Sequence, residues 1–287
     1  MKVAHDVREI ERRPRAVAIG TFDGVHLGHR RVLEAARAAG LAATVVTFDP
    51  HPRIALGYEV ELLTTLERRL ELIANIGIDE ALVLEFDLEL ARLGAEEFAQ
   101  EVLRPIGTEV VVAGANFRFG RGRTGDLAVL GRLGYDARNV PLVEGVSSSR
   151  IRDLIRAGDV ERAANLLGRP PEVDGTVVAG DARGGTLGFP TANLRLDPRL
   201  LVPAFGIYAG AAEGTRAAIS IGTNPHYGGH ERRVEAHLLD FEGDLYGHRL
   251  VVELWRRLRD ERAFETEAEL VAQIGRDVED ARAAHRP

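Results

Sequence analysis

The order of apolar runs changes once along this chain, and that change constrains the fold more than any other feature. In the first half, β-branched runs alternate with stretches whose apolar residues recur at helical spacing. RAVAIGTF (15–22) leads into the loop DGVHLGH and then RRVLEAARAAG, where Val32, Leu33 and Ala36 share one helical face. LAATVVTFDP (41–50) reads as the next strand, with Gly40 at the preceding helix end. A helix near 64–76, a strand near 81–86, a helix near 95–103 and the strand EVVVAGANF (109–117) continue the series. Strands joined by single helices pair in parallel through right-handed crossovers. This half therefore predicts an open, Rossmann-like α/β sheet with helices on both faces.

From Ser147 the segment SSSRIRDLIRAGDVERAANLLGRPP predicts two short helices, broken at Gly158 and N-capped by Asp159. It ends in Gly168 and the Pro170-Pro171 pair, which places a domain boundary between 169 and 170, giving domains over 1–169 and 170–287. Beyond it come short alternating strands with tight turns: VDGTVVAG, FGIYAGAAEGTRAAISIG around a Glu213-Gly214 turn, RRVEAHLLDF and HRLVVELWRRL. Sequential strands with short turns pair antiparallel, so a small β-barrel is expected. A C-terminal amphipathic helix over roughly 266–284, with Leu270, Val271, Ile274 and Val278 on one face, should flank it.

Composition excludes several kinds of chemistry. There are no cysteines, so disulfides, thiolate metal sites and a cysteine nucleophile are ruled out. With 37 basic and 44 acidic residues the net charge is −7, against the basic excess that nucleic-acid binding requires. Lys2 is the sole lysine, so no G-x-x-x-x-G-K-[ST] phosphate loop exists and any nucleotide must be held another way. No apolar run is long enough to span a bilayer and the N-terminus has no apolar signal core, which predicts a cytoplasmic protein without membrane partners. Oligomeric state is not legible.

The loop GTFDGVHLGH (20–29) sets two imidazoles three residues apart where a parallel strand gives way to a helix. Ligands of open α/β sheets sit at that end of the strands. Gly20 and Gly24 let the main chain approach a phosphate, and the helix that follows offers unpaired N–H groups. His26 and His29 can donate hydrogen bonds to phosphate oxygens as charge builds, which is electrostatic stabilisation rather than nucleophilic attack. A bare H-x-x-H is more often a pair of ordinary loop histidines; the glycines and the placement favour function here. Gly120, Gly122 and Gly125 also spell G-x-G-x-x-G, with Glu144 downstream as a mimic of a ribose-binding acid. Asn116 and Arg118 separate these glycines from the strand and only a short helix, about 126–133, follows, which argues against a dinucleotide dehydrogenase.

GTFDGVHLGH resembles the H-x-G-H signature of the nucleotidyltransferase superfamily. With TFDPHP (47–52), GANFRFGRGRTGD (114–126) and VEGVSSSRIR (143–152) in the same order, it is similar to the FMN adenylyltransferase half of bacterial bifunctional riboflavin kinase/FAD synthetases. The resemblance implies in-line attack of the FMN phosphate on the α-phosphorus of ATP, with pyrophosphate leaving and Mg²⁺ assisting. It implies that Gly20, Phe22, Asp23, Gly24, His26 and His29 contact ATP, with Ser148, Ser149 and Arg152 holding its β- and γ-phosphates. Asn116 is placed near the reacting phosphates or flavin, and Pro50 and Pro52 form an apolar wall against the isoalloxazine ring. Without the resemblance, the serine run reads as a plain helix N-cap and the prolines as loop punctuation.

GDARGGTLGFPTANL (180–194) is a glycine-rich turn leading into an extended Pro-Thr-Ala-Asn, with Leu187 and Phe189 as apolar anchors to the barrel. Thr191 and Asn193 fall on the same side of an extended strand, where a hydroxyl and an amide oxygen suit a hard cation. In RRVEAHLLDF, Glu235 and His237 point one way while Val234 and Leu238 alternate with them. These segments, with GIYAG (206–210) and VEAHLLDFEGDLYG (234–247), resemble riboflavin kinases. The resemblance implies that Glu235 accepts the riboflavin 5′-hydroxyl proton, that Gly185, Gly188, Thr191 and Asn193 hold ATP, and that Thr191 and Asn193 ligate Mg²⁺. Arg259 and Arg262 are expected to close over flavin or nucleotide. One departure stands out: Asn224-Pro225-His226-Tyr227 replaces the family's usual Asn-Pro-Thr-Phe, putting an imidazole in place of a small hydroxyl. The sequence thus predicts an enzyme that uses ATP twice, converting riboflavin to FMN and FMN to FAD. Two alternatives remain: an adenylyltransferase with a decayed kinase, and a non-catalytic flavin sensor.

Overall fold

The computed structural model describes residues 1–180, 188–223 and 232–287. Gly185, Leu187 and Asn224-Pro225-His226-Tyr227 lie outside the described residues. By compactness the chain forms two units, Met1–Val60 with Leu66–Ser147, and Glu61–Thr65 with Ser148–Pro287.

The first unit is built on a six-stranded sheet of β1 (Lys2–Ala4), β2 (Arg15–Ile19), β3 (Ala42–Asp49), β4 (Glu80–Glu85), β5 (Thr108–Gly114) and β6 (Asp136–Val140). Every pairing is parallel and the order is β1-β4-β3-β2-β5-β6. Alternation along β2 sends Val17 and Ile19 into one core, with Phe98, Leu103 and Leu130, and Ala16 and Ala18 into the other, with Leu33, Ala36 and Ile73. The sheet is thus covered on both faces, as the near-continuous burial of its central strands requires. Among the covering helices, α1 (Leu27–Arg37) buries Val32, Leu33 and Ala36, the face expected from their spacing. Helix α2 (Pro52–Ala55) is one turn, α3 (Leu66–Asn75) packs through Ile73, and α4 (Leu88–Arg92) caps on Asp87. The helix expected near 95–103 is an α-turn, α5 (Ala95–Phe98), running on as a π-helical turn Ala99–Leu103. The strand expected to reach 117 ends at Gly114, and α6 is Leu127–Arg132.

Arg15 is fully buried at the start of β2 and forms an ion pair with Glu80 at the start of β4. Its Nη1 also donates to Thr44 Oγ1 (3.0 Å) in β3, and its Nε to the Ile106 carbonyl (2.7 Å) just before β5. One guanidinium therefore ties four adjacent segments at the amino end of the sheet. Burial alone would raise the Glu80 carboxyl pKa, but hydrogen bonds from Arg15 and Arg13 outweigh it and hold the group below its ordinary value.

The second unit contains a closed antiparallel barrel of β7 (Glu172–Val178), β8 (Ala192–Leu196), β9 (Gly206–Ala212), β10 (Thr215–Thr223), β11 (Arg232–Leu238) and β12 (Arg249–Arg259). The strands close in the order β10-β11-β8-β7-β12-β9. Val177, Leu194, Tyr208, Ile219, Ile221, Val234, Leu250 and Val252 fill its interior. β9 and β10 are joined at Glu213 (φ 49°) and Gly214 (φ 82°). Two positive φ values in a two-residue loop match the twist of the strands they join. Helices α7 (Ser148–Arg156) and α8 (Val160–Leu167) group with the barrel, because Ile151, Ile155, Ala163 and Leu167 pack with Leu63 and Leu201. Helix α9 (Glu267–Ala283), N-capped by Thr266, lies against β9, β10 and β12. Among the described residues no helix is long and apolar enough to cross a membrane.

Candidate functional site

In the first unit the chain leaves β2 to one side, toward β3, and returns after β4 on the other side of β2 as β5. That reversal opens a crevice beyond the carboxyl ends of β2 and β5, the place where open α/β sheets take their ligands. The turn after β2 is shaped by main-chain geometry. Phe22 (φ 50°), Gly24 (φ 81°) and Val25 (φ 38°) all occupy the left-handed region, which two side-chain-bearing residues adopt only under constraint. The constraint is burial: Phe22, Asp23 and Val25 are almost fully enclosed. A Cβ at Gly20 would come within 3.1 Å of the Phe22 ring, so the glycine leaves room for that ring to fold back.

His26 caps α1, its Nδ1 accepting the His29 N–H at 3.2 Å. Because Nδ1 accepts, the proton of a neutral imidazole sits on Nε2, leaving that atom as a donor. The two imidazoles stack with centroids 3.6 Å apart, and the Phe22 ring meets His29 edge-on at 5.3 Å. A Cβ at Gly28 would lie 3.2 Å from His26 Cε1, which explains why a glycine sits between the histidines. Gly28 showed in the sequence only as a letter of the H-x-G-H signature, without its steric reason, and the fixed tautomer of His26 was not legible.

The turn after β3 carries Pro50, after a cis Asp49-Pro50 bond, and Pro52 at the first position of α2, both half-buried. Beneath both turns lies Arg69 of α3, buried, donating to the carbonyls of Thr21 (2.8 Å) and Phe48 (3.1 Å). Sequence reasoning passed over it, because an arginine in an amphipathic helix reads as surface. Beyond β5, Asn116 is exposed in a turn whose Oδ1 lies 3.5 Å from where a Gly114 Cβ would be. Two of the G-x-G-x-x-G glycines, Gly120 and Gly125, have a packing purpose. Phe119 and Gly125 pair across a tight loop, and a Cβ at Gly120 or Gly125 would sit 2.7 Å from Ala95 atoms.

In the second unit, Ser148 and Ser149 open α7, the first half-buried and the second exposed. Arg152 is buried, its Nε donating to the Glu61 carbonyl at 2.6 Å. On the barrel, Asn193 and Glu235 are directly opposed on paired strands. Val234, Ala236 and Leu238 face the core, which turns Glu235 and His237 outward as the alternation predicted. Arg233 spans the pair: its Nε and Nη2 donate to Asn193 Oδ1 at 2.8 and 2.6 Å, and it forms an ion pair with Glu235. Asn193 Nδ2 reaches the Thr191 carbonyl at 3.4 Å, and His237 Nδ1 contacts the Pro190 carbonyl at 2.7 Å beneath the edge of Phe189. Gly180 is exposed, yet a Cβ there would fall 2.2 Å from Asn193 Nδ2. Gly188, at φ 87°, sits in the turn that precedes β8.

Arg259 and Arg262 are engaged elsewhere. Arg259 forms a fork with the buried Asp277 of α9 (Nε 2.9 Å, Nη2 2.7 Å), and Arg262 donates to Gln273 while lying 4.8 Å from the Phe264 ring. Both fix the C-terminal helix. Among the described residues no group of three or more His, Asp or Glu could hold a metal ion.

Comparison with known proteins covers most of both units. The FAD synthetase family model matches residues 8–151 and the riboflavin kinase family model matches residues 167–285. A bifunctional riboflavin kinase/FMN adenylyltransferase of Listeria monocytogenes is 34% identical over 94% of this chain and 92% of its own. Its counterpart in Escherichia coli K12 is 35% identical over 96% of each chain. A crystal structure described as a macrolide-efflux protein from Streptococcus pneumoniae shares the fold, with a TM-score of 0.87 at 33% identity over 99% of both chains. Matched along nearly its whole length by relatives about a third identical and by both family models, the chain belongs to the bifunctional riboflavin kinase/FMN adenylyltransferase family.

Proposed function

We infer that this chain phosphorylates riboflavin to FMN and adenylylates FMN to FAD, consuming ATP in each step and releasing pyrophosphate in the second. Adenylylation is assigned to residues 1–169 and phosphorylation to residues 170–287. The observation that carries the reading is that each unit holds its own polar cluster at a position its fold makes suitable. One is the stacked His26–His29 pair at the sheet's switch point, the other Glu235 opposed to Asn193 on the barrel.

In the first reaction site the Nε2 proton of His26 and the imidazole of His29 stabilise charge building on the transferred phosphate of ATP. Gly20, Phe22, Asp23 and Gly24 shape the turn that receives it. Ser148, Ser149 and Arg152, which belong to the second unit, are assigned to ATP on the family resemblance alone, as hydroxyl, main-chain and guanidinium donors suited to phosphate. Pro50, Pro52 and Asn116 face the flavin. In the second, Glu235 takes the proton of the riboflavin 5′-hydroxyl as that oxygen attacks the γ-phosphorus. Thr191 and Asn193 would hold Mg²⁺, whose charge offsets that of the phosphoryl oxygens. The donor set fits such a cation: Asn193 Oδ1 already accepts a cationic group, the Arg233 guanidinium. Gly188, at the turn before β8, is assigned to the nucleotide, as is Gly185, which lies outside the described residues.

A net charge of −7 argues against nucleic acid as the partner, and the small-molecule substrates fit a chain that works on metabolites in the cytoplasm. The test is to incubate purified protein with riboflavin, ATP and Mg²⁺ and separate the products by chromatography. FMN should appear first and FAD after it. Absence of both products from folded protein overturns the reading, and FAD formed from FMN but not from riboflavin overturns the kinase half alone.

A further inference from the structure

The ladder between β2 and β3 runs to Ile19 opposite Val46, and the Gly20 N–H adds one more bond to the Val46 carbonyl at 3.1 Å. Past that point the two chains part to form the turn 20–26 and the turn holding Pro50 and Pro52. The next two carbonyls along this seam, Thr21 and Phe48, are joined through Arg69. Its two terminal nitrogens form a rung where main-chain pairing has stopped. Thr47 Oγ1 adds a second donor to the Thr21 carbonyl at 3.2 Å.

Packing does not account for an arginine here. Arg69 and Ile73 are the buried residues of α3, one helical turn apart, on the stripe where an apolar side chain belongs. Its Nε is buried without a hydrogen-bond partner, and burial lowers the pKa of the guanidinium, with the carboxylates of Asp23 and Asp49 pulling the other way. An apolar side chain of similar volume would avoid that desolvation. What it could not do is hold two carbonyls at a fixed separation, which the planar fork of arginine does.

We propose that Arg69 is a positioning residue for FMN adenylylation, setting the turn that carries His26 and His29 against the turn that carries Pro50 and Pro52. This rests on the reading of those turns as the adenylylation site. Without the rung, the left-handed conformations of Phe22 and Val25 lose a restraint and the stacked imidazoles drift from their place at the start of α1. A misplacement of about 1 Å at reacting groups lowers a rate by about 100-fold.

The experiment uses the full chain with Arg69→Met, Arg69→Lys and His29→Ala, measuring kcat and KM for FAD formation from FMN and ATP. Riboflavin phosphorylation in the same preparations controls for folding. Arg69→Met is expected to lower the kcat of adenylylation by about 100-fold while KM for ATP moves less and the kinase rate is unchanged. Arg69→Lys, which keeps the charge but not the fork, is expected to lower kcat by about tenfold. A purely structural arginine would lower the melting temperature and leave kcat at low temperature intact. An unchanged kcat in Arg69→Lys and Arg69→Met, alongside a loss in His29→Ala, overturns the role of Arg69 and leaves the site standing. Full activity in His29→Ala as well removes the turn as the site, and the proposal with it.

Discussion

The two proposed reaction sites are built from different parts of the polypeptide. In the parallel-sheet unit the site is shaped by main chain: three left-handed residues, a helix end capped by His26, and carbonyls gathered by Arg69. On the barrel the corresponding groups are side chains from neighbouring strands, Asn193, Arg233 and Glu235, already bound to one another. The difference lies in what the arginines do. Arg69 binds atoms that take no part in chemistry, so it can stay in place through a reaction cycle. Arg233 binds the proposed cation ligand and the proposed base, so it must yield before either can act. On the proposed reading, the first site is preorganised and the second is held closed by its own charges.

The largest expected effect breaks the comparison by crossing it. Glu235→Ala should lower riboflavin phosphorylation by about 10²–10⁴-fold while FAD formation from FMN is unaffected. His29→Ala should do the reverse, by about 10²–10³-fold. Chromatography of products from each substrate in turn reads both. If Glu235→Ala retained the kinase step, the barrel cluster would be an ordinary strand ion pair.

Next comes a change that loosens one unit without touching either site. Glu80→Gln leaves Arg15 buried beside a neutral partner and should cost the first unit about 3 kcal/mol. Adenylylation should then fail at a temperature where the kinase step persists, with calorimetry showing the lower transition. The same pair sets an acid dependence. Because the folded Glu80 pKa is depressed, its stabilisation is full above the unfolded value of about 4.3 and is lost as pH falls through the folded one. Glu80→Gln should flatten that acid loss; an unchanged acid profile would place the dependence on other carboxylates.

The smallest effect concerns the closed cluster. Arg233→Ala should lower the Mg²⁺ concentration for half-maximal kinase rate by about tenfold, since a charged hydrogen-bond partner no longer competes for Asn193 Oδ1. Titration of Mn²⁺ binding checks the same shift without turnover. A raised requirement would mean that the guanidinium helps to hold the site open to substrate.

The strong strands and amphipathic helices were legible because burial imposes a period on them: RAVAI, ATVVTF and EVVVAG are buried on both sides and read as apolar runs. β1 and β6 were not, since each is an edge strand with mostly exposed side chains and so carries no pattern. The strand after Gly114 was read three residues too long because Ala115-Asn116-Phe117 continues the composition of a strand while folding as a turn. At the sites, motif residues announce themselves by chemical type. Their supports do not. Gly28 is a letter of H-x-G-H whose reason, an atom it lacks, does not show in the sequence, and Arg69 matters through which way a helix happens to face. Arg259 and Arg262 show the converse, conspicuous charges that serve to anchor α9.

Gly180 carries a consequence for how variants of this chain are interpreted. It is exposed, needs no left-handed conformation and would be scored as tolerant by any rule based on accessibility. A single methyl group there would nonetheless collide with the Asn193 amide. In a saturation scan of the gene, codon 180 should therefore behave like an active-site codon: depleted for every replacement under selection for FMN supply, and neutral when FMN is fed.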